Sequence, residues 1–134
     1  VFHGRDVFAP AAALLASGVP LEEAGPPANS LVTLPIAEPS IEDGGIVSGR
    51  IIHIDRFGNC ITNIRRCHVP DAGIRLQTGA LRLKRLHRVY ADVPCGDTLA
   101  YFGSAGYIEI AVNCGNAAGK HALKRGDAVT LYRG

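Results

Sequence analysis

The segment His3-Gly4-Arg5-Asp6 brings an imidazole, a flexible glycine and two opposite charges into four consecutive residues. Histidine is the side chain best suited to take up or release a proton near neutral pH. Arg5 and Asp6 are also explained as a solvated ion pair of little energetic value. We expect the segment where a strand leads into a helix, which is a common position for active-site residues. His3 is therefore a candidate catalytic residue.

A second group of polar residues lies in the segment Ile54-Asp55-Arg56-Phe57-Gly58-Asn59. It places a carboxylate, an aromatic ring and a side-chain amide around a predicted tight turn. A carboxylate can bind an ammonium group, and an amide can read the edge of a purine. The alternative is a turn in which Asp55 and Asn59 serve only local backbone bonding.

Three further positions are candidates for ligand contacts. Ser104 lies in Gly103-Ser104-Ala105-Gly106, where a hydroxyl and backbone N–H groups can hold a carboxylate, although a plain hairpin turn also explains it. The segment does not follow the G-x-S-x-G pattern of serine hydrolases. Tyr90 can stack on a base or serve as a barrel residue. Ala117 follows Gly115 and Asn116 at a predicted helix start, where backbone can approach a flat ring.

The stretch from Leu81 to Arg88 alternates leucines with basic residues. This pattern is typical of a solvated strand face. A weak role in binding anions remains the alternative.

Turn-forming residues divide the chain into three parts. An alanine-rich helix is predicted over residues 9–17, and Gly18 and Pro20 end it. A Pro-rich connector follows over residues 25–45. The remainder, residues 46–134, alternates β-branched runs with glycine turns. Strands are predicted over residues 46–55, 60–64, 80–83, 88–93, 98–102, 106–113 and 128–132, with a helical turn over 116–123. Short strands in this arrangement predict a small antiparallel barrel or sandwich.

Composition excludes several classes of protein. The chain has 134 residues, 47% of them hydrophobic and 19% charged, with a formal net charge of +2. The hydrophobic fraction is large enough to form a packed core, which excludes a disordered chain. The net charge is too small for a dedicated nucleic-acid-binding protein. No apolar run reaches the roughly 18 residues of a membrane span, so we expect a soluble protein. The 4 cysteines form no metal-binding spacing and indicate reduced thiols in the cytoplasm. Because methionine is absent even at position 1, we interpret the sequence as a fragment.

The order and spacing of these motifs resemble those of the S-adenosylmethionine (SAM) hydroxide adenosyltransferase family, which is related to the fluorinase and the chlorinase. The resemblance covers nearly the whole chain. It implies a mainly β fold, in which a C-terminal antiparallel β-barrel follows a helical remnant of an N-terminal α/β domain. Residues 1–24 would be that remnant, 25–45 the linker and 46–134 the barrel. It also implies a homotrimer with the ligand between neighbouring subunits.

The resemblance assigns substrate binding to six positions: Asp55, Phe57, Asn59, Tyr90, Ser104 and Ala117. Asp55 would meet the ammonium group of methionine, and Ser104 would hold its carboxylate. Asn59 and the backbone near Ala117 would read the adenine, while the two aromatic side chains pack on the rings.

The resemblance also implies a reaction without metal or cofactor, in which SAM is the substrate. His3, with an Asp and an Arg from a part that this sequence lacks, would activate water for attack on SAM, giving adenosine and methionine. The fragment alone would then be inactive. Halogenating relatives carry an Arg where this chain has Ala105 and one more residue between the positions of Asp55 and Asn59, which favours water. Halide transfer and a nucleoside-binding barrel without activity are the alternatives.

Overall fold

The chain divides into two units, Val1–Leu34 and Pro35–Gly134, in a computed structural model that describes residues 2–33, 36–69 and 73–133. In the first unit, helix α1 spans Ala9–Ala16, which confirms the predicted helix to within one residue. Pro10 lies in its first turn, where a missing N–H is harmless. A wide π-helical turn precedes it over Gly4–Phe8 instead of the expected strand end. A 3-10 turn follows over Leu21–Ala24.

The second unit is an antiparallel sheet that curls into a nearly closed barrel. Its strands are β1 (Ser40–Glu42), β2 (Ile46–Ile54), β3 (Cys60–Arg65), β4 (Ile74–Thr78), β5 (Leu81–Leu83), β6 (Thr98–Phe102), β7 (Tyr107–Val112) and β8 (Ala128–Arg133). The order is β5-β4-β8-β2-β3-β7-β6, and β1 pairs with β2. An isolated bridge between His87 and Tyr101 of β6 spans the remaining gap. The predicted mainly β barrel is thereby confirmed.

Alternation of side chains along the strands builds the core of the barrel. Leu76 of β4, Ile108 and Ile110 of β7 and Leu131 of β8 are each at most 1% exposed. Arg75 and Tyr132, their neighbours on β4 and β8, are exposed, as the two-residue period of a strand predicts. Helix α2 (Ala117–His121) lies after β7 and contributes the fully buried Ala117 to the same cluster. The predicted helical turn over residues 116–123 is thus confirmed.

One predicted strand is wrong, and two strands were not predicted. Residues 88–93 contain a 3-10 turn, Tyr90–Asp92, in place of a strand. The carboxylate of Asp92 accepts the backbone N–H of Arg88 at 2.8 Å, and this local bond competes with strand pairing. The two unpredicted strands are β1 and β4. Strand β1 lies inside the predicted connector.

Candidate functional site

The tight turn between β2 and β3 is organised by the carboxylate of Asp55. Its Oδ1 accepts the backbone N–H groups of Phe57 and Asn59, each at 2.9 Å. Its Oδ2 accepts the side-chain amide of Asn59, also at 2.9 Å. The backbone N–H of Gly58 donates to the Asp55 carbonyl at 3.0 Å and closes the turn. The local backbone bonding expected of such a turn is present, and it also fixes the Asn59 side chain.

These hydrogen bonds keep Asp55 charged. Partial burial acts to raise its pKa, but the hydrogen bonds that the carboxylate accepts from Asn59 and Phe57, together with the nearby N–H of Gly58, outweigh burial and hold the pKa of Asp55 below its usual value. An ionised carboxylate offers about four lone-pair positions. Three are occupied by the side-chain contacts of the turn, which leaves one on Oδ2.

The turn is docked onto the start of α2. Gly58 has a φ of +86°, and a Cβ atom at this position would overlap the side chain of Asn116. Asn116 caps α2, because its Oδ1 accepts the N–H of Gly119 at 2.6 Å. The N–H of Ala118 donates to the carbonyl of Gly58 at 3.0 Å. A glycine is therefore required here by both conformation and contact.

A shallow open cleft of about 420 Å³, which we call the cleft, lies beside this turn. It is lined by Phe57, Asn59, Tyr90, Val112, Cys114 and Gly115. Three of the six predicted substrate-binding side chains therefore line one depression. Asp55 is not one of the lining residues, but it holds Asn59, which is. Ala117 is fully buried at the start of α2, two residues after the cleft residue Gly115.

Asn59 retains unused hydrogen-bonding capacity in the cleft. Its side chain is oriented by the carboxylate of Asp55, which can only accept, so the nitrogen of the amide must face Asp55. A side-chain amide has two N–H groups and one carbonyl. In the described part of the chain, only one of these N–H groups has a partner. Asn59 is 7% exposed, so the remaining donor and acceptor are held in a fixed direction.

Tyr90 is fixed in the wall of the cleft by a chain of hydrogen bonds. The hydroxyl of Tyr101 donates to Oε2 of Glu109 at 2.5 Å. The hydroxyl oxygens of Tyr90 and Tyr101 are 2.9 Å apart, and Tyr90 must donate because Tyr101 has already used its proton. Burial, then these two neighbours, raises the pKa of Tyr101. The tilted tyrosine rings have centroids 5.0 Å apart, which positions the ring of Tyr90.

Ser104 lies away from this cleft. It is exposed in the turn between β6 and β7, where the N–H of Gly106 donates to the carbonyl of Gly103 at 2.9 Å. The cleft lies at the other end of β7, beyond Val112. Because β7 has 6 residues, its ends are about 17 Å apart. The predicted role of Ser104 in binding a carboxylate stays a prediction.

His3 lies in the first unit, where it is exposed at the start of the π-helical turn. Arg5 and Asp6 form the expected ion pair, with Nη2 of Arg5 3.1 Å from Oδ2 of Asp6. The hydrogen bond from Arg5 holds the pKa of Asp6 below its usual value. The predicted catalytic role of His3 stays a prediction.

Several residues around the cleft were not predicted from the sequence. Tyr101 and Glu109 were missed because their contact with Tyr90 depends on strand register. The role of Asn116 as the N-cap of α2 could have been predicted, since an Asn before a run of alanines is a typical helix cap. Cys114 is a further lining residue, and a hydrogen bond with its thiol raises the pKa of Cys95.

Residues 2–33, 36–69 and 73–133 contain neither a cluster suited to a metal ion nor a helix suited to cross a membrane. No group of three or more His, Cys, Asp or Glu side chains there is arranged to hold a metal ion. No helix in these ranges combines the length and apolar character needed to span a membrane.

Fold and cleft together define a class of protein: a small antiparallel β-barrel with a cleft, walled by aromatic rings and holding one fixed amide, at one end of its strands. The family model described as the SAM hydroxide adenosyltransferase C-terminal domain matches residues 49–130. The chain belongs to the SAM hydroxide adenosyltransferase family, as the resemblance of its motifs predicted.

Curated relatives include both branches of this family. An (R)-S-adenosyl-L-methionine hydrolase of Thermus thermophilus is 45% identical over 132 residues, which are 97% of this chain and 48% of that protein. A similar hydrolase of Salinispora arenicola is 36% identical over 141 residues, 99% of this chain and 51% of that protein. A fluorinase of Actinoplanes sp. is 36% identical over 145 residues, 98% of this chain and 48% of that protein. The chain spans about half the length of the curated relatives it matches.

Solved structures agree with this assignment. A conserved protein from Thermotoga maritima superposes with a TM-score of 0.62 at 36% identity, covering 99% of this chain and 53% of the other. A second conserved protein, from Thermus thermophilus, superposes with a TM-score of 0.59 at 43% identity, covering 96% of this chain and 52% of the other.

Proposed function

We propose that this chain is part of a SAM hydrolase that converts SAM and water into adenosine and L-methionine. The oxygen of water forms a bond to C5′ of the adenosyl group as the bond from C5′ to sulfur breaks. The electron pair of that bond goes to sulfur, which leaves as the neutral thioether of methionine, and the water releases a proton. In-line placement of water and leaving group supplies much of the rate, because it replaces a bimolecular encounter.

The observation that carries this proposal is the fixed amide of Asn59 in the cleft. An amide that presents one donor and one acceptor matches the N6 and N7 edge of adenine. Asn59 has that pair free and is locked in direction by Asp55. Phe57 and Tyr90 line the same cleft and provide surfaces against which the flat ring can pack.

The other binding roles are placed around this anchor. Asp55 has one lone-pair position left on Oδ2, which suits the ammonium group of the methionine part. Ser104 is assigned to the methionine carboxylate on the resemblance alone, because it does not line the cleft. The backbone near Ala117 contributes to adenine recognition, since its helix start adjoins the cleft residue Gly115.

His3 is assigned the role of accepting the proton of the attacking water. It acts with an Asp and an Arg of a partner α/β domain, so this chain alone is inactive. The complete enzyme is a cytoplasmic homotrimer that uses SAM as substrate and needs no cofactor. A water-poor site assists, because the charges of the developing nucleophile and the sulfonium cancel along the reaction path.

Binding to the cleft is tested by calorimetry with adenosine on this chain. Asn59→Leu removes the amide that is proposed to bind the N6 and N7 edge of adenine. We expect adenosine affinity to fall by at least about tenfold, as for loss of a bidentate base contact. Asn113→Leu is the matched control, because Asn113 binds the carbonyl of Val93 at 2.8 Å and does not line the cleft. Equal affinities of Asn59→Leu and the unmodified chain would contradict the adenine assignment.

Turnover is tested in water labelled with oxygen-18. This chain is combined with the part of the Thermus thermophilus relative that it does not cover, and assembly is confirmed by co-elution. We expect the label in the 5′-hydroxyl of adenosine and none in methionine. His3→Gln should abolish product, whereas His53→Gln, on an exposed strand position, should not. An assembled complex that forms no adenosine would reject hydrolysis.

The alternatives give different products in the same experiment. A halide adenosyltransferase would give 5′-halo-adenosine in halide buffer, and the fluorinase relatives are the observation that keeps this candidate. A binding module would give adenosine binding by this chain and no turnover in the assembled complex.

A further inference from the structure

A second concave region lies on the outer face of the barrel, formed by β4, β5 and β8. Register places Arg75 opposite Tyr132 and Gln77 opposite Arg82. Leu76, which lies between Arg75 and Gln77, is 1% exposed and points into the core. Because side chains alternate along a strand, the residues on either side of it point outward together. Three neighbouring strands therefore present one polar, basic face.

This face forms a depression of about 760 Å³, which we call the basic groove. Its lining includes four cationic residues and, among the described residues, no Asp or Glu. The cations are Arg75, Arg82, Lys84 and Arg133. The basic groove shares no residue with the cleft.

The cations of the basic groove have no carboxylate partners in the described ranges. Ion pairs within residues 2–33, 36–69 and 73–133 involve Arg5, His68 and His87 as the cationic groups. Like charges on adjacent strands repel one another and weaken a sheet. Four cations brought together without a carboxylate partner among the described residues thus favour a ligand that supplies negative charge.

The volume of the basic groove suits a small molecule. A volume of about 760 Å³ lies within the range of roughly 300–1,000 Å³ typical of small-molecule sites. Guanidinium groups match phosphoryl oxygens with two parallel hydrogen bonds, and a lysine adds a point charge. Tyr132, which is 37% exposed, supplies an aromatic surface beside Arg75.

We propose that the basic groove binds a small oligophosphate anion, with inorganic tripolyphosphate and the triphosphate of a nucleotide as ligands of the same chemistry. The two arginines of the sheet face grip adjacent phosphoryl groups, while Lys84 and Arg133 neutralise the remaining charge. In the first part of the stretch that alternates leucines with basic residues, Leu81 and Leu83 pack against the core, which leaves Arg82 and Lys84 to the groove. This proposal does not depend on the chemistry of the cleft.

The test is calorimetric titration of this chain with tripolyphosphate at about 0.1 M salt. We expect a single site, and a loss of roughly tenfold in affinity for each of Arg75→Gln and Arg82→Gln, the effect of one charge-assisted hydrogen bond. Lys124→Gln is the matched control, because it removes the same charge outside the groove. If one arginine variant is poorly folded by circular dichroism, Lys84→Gln replaces it.

Each outcome decides the proposal. Weaker binding by the groove variants with unchanged binding by Lys124→Gln supports it. Tighter binding of ATP than of tripolyphosphate, reversed by Tyr132→Leu, supports a nucleotide as the source of the phosphates. Absence of binding, or equal weakening by Lys124→Gln, overturns it. Tighter binding of a single-stranded oligonucleotide than of either small anion also overturns it, in favour of a nucleic-acid surface.

Discussion

The cleft and the basic groove use polar residues in opposite ways. In the cleft, the carboxylate of Asp55 receives three hydrogen bonds from the residues that follow it, and Asn59 is almost entirely buried. In the groove, Arg75 and Arg82 are exposed and have no carboxylate partner among the described residues. In the cleft the polar groups bond mainly to one another, whereas in the groove the cationic side chains are exposed and accessible to a ligand.

This difference separates stability from binding. A polar group that satisfies buried partners contributes to the fold, because its removal leaves those partners without hydrogen bonds. An exposed cation contributes little to the free energy of folding. Substitutions in the cleft should therefore change both stability and ligand affinity, whereas those in the groove should change affinity alone.

The largest effect is expected for Asp55→Ala. The substitution leaves the side chain of Asn59 and two backbone N–H groups without their acceptor, so we expect the free energy of unfolding to fall by about 3 kcal/mol. Adenosine affinity should fall with it, because Asn59 is no longer oriented. Arg82→Gln should leave stability unchanged. Urea denaturation of both variants measures this contrast, and equal stabilities would refute it.

The contribution of Asp55 to stability should also depend on pH. The pKa of Asp55 is lower in the folded chain than its ordinary value of 3.8. Its stabilising effect is therefore complete above the unfolded pKa and is lost as the pH falls through the lower, folded pKa. The stability difference between the unmodified chain and Asp55→Asn should be constant above about pH 5 and shrink below about pH 4. A difference that grows with acidity would reverse the assigned sign.

Much of the barrel could be predicted because each strand carries its own signal. β-branched residues and glycine turns located β2, β3, β6, β7 and β8 to within one or two residues. The segment Asp55–Asn59 was predicted as a turn because Asp, Gly and Asn favour turns for local reasons. These features depend on neighbours in sequence, so sequence alone contains them.

Most of what could not be predicted depends on contacts distant in sequence, and the strand expected over residues 88–93 is the local exception. Residues 88–93 look like a strand, but the carboxylate of Asp92 captures two backbone N–H groups that a strand would need. Tyr101 and Glu109 become neighbours only through the register of β6 and β7. The alternation of β4 was visible, yet its partner β8 lies more than fifty residues away. The joining of Arg75 to Arg82 in one groove likewise follows from pairing.

A smaller effect is expected from adding a methyl group at the turn of each region. Gly58→Ala places a Cβ against Asn116 at a φ of +86°, so it combines backbone strain with a disturbed helix cap. We expect a loss of about 2 kcal/mol. Gly79, in the turn between β4 and β5 beside the groove, has a φ of +53° and open space around it. Gly79→Ala should cost about 1 kcal/mol, from strain alone.

Thermal or urea unfolding distinguishes these contributions. The double variant Gly58→Ala with Asn116→Ala should lose little more stability than Asn116→Ala alone, apart from the strain, because the overlap has been removed. Equal costs at Gly58 and Gly79 would show that the turn of the cleft is not docked on α2 as described.

The smallest effect on stability is expected at two buried threonines, one on strand β3 beside the cleft and one on strand β4 beside the groove. Thr62 of β3 is fully buried, and its hydroxyl donates to the carbonyl of Ile108 at 2.9 Å. Thr78 of β4 is 1% exposed, and its hydroxyl has no hydrogen-bond partner in the described residues. Thr62→Val removes the bond to Ile108 and also the acceptor of the Ile64 N–H, which lies 3.2 Å from the hydroxyl oxygen, so the free energy of unfolding should fall by at least about 1 kcal/mol. Thr78→Val removes an unsatisfied hydroxyl of the same shape and should raise the free energy of unfolding by up to about 1 kcal/mol. Denaturant unfolding of the two variants, identical in chemistry, measures the sign directly. Destabilisation by both would mean that the hydroxyl of Thr78 is satisfied in solution, and that the groove side of the barrel is as fully bonded as the cleft side.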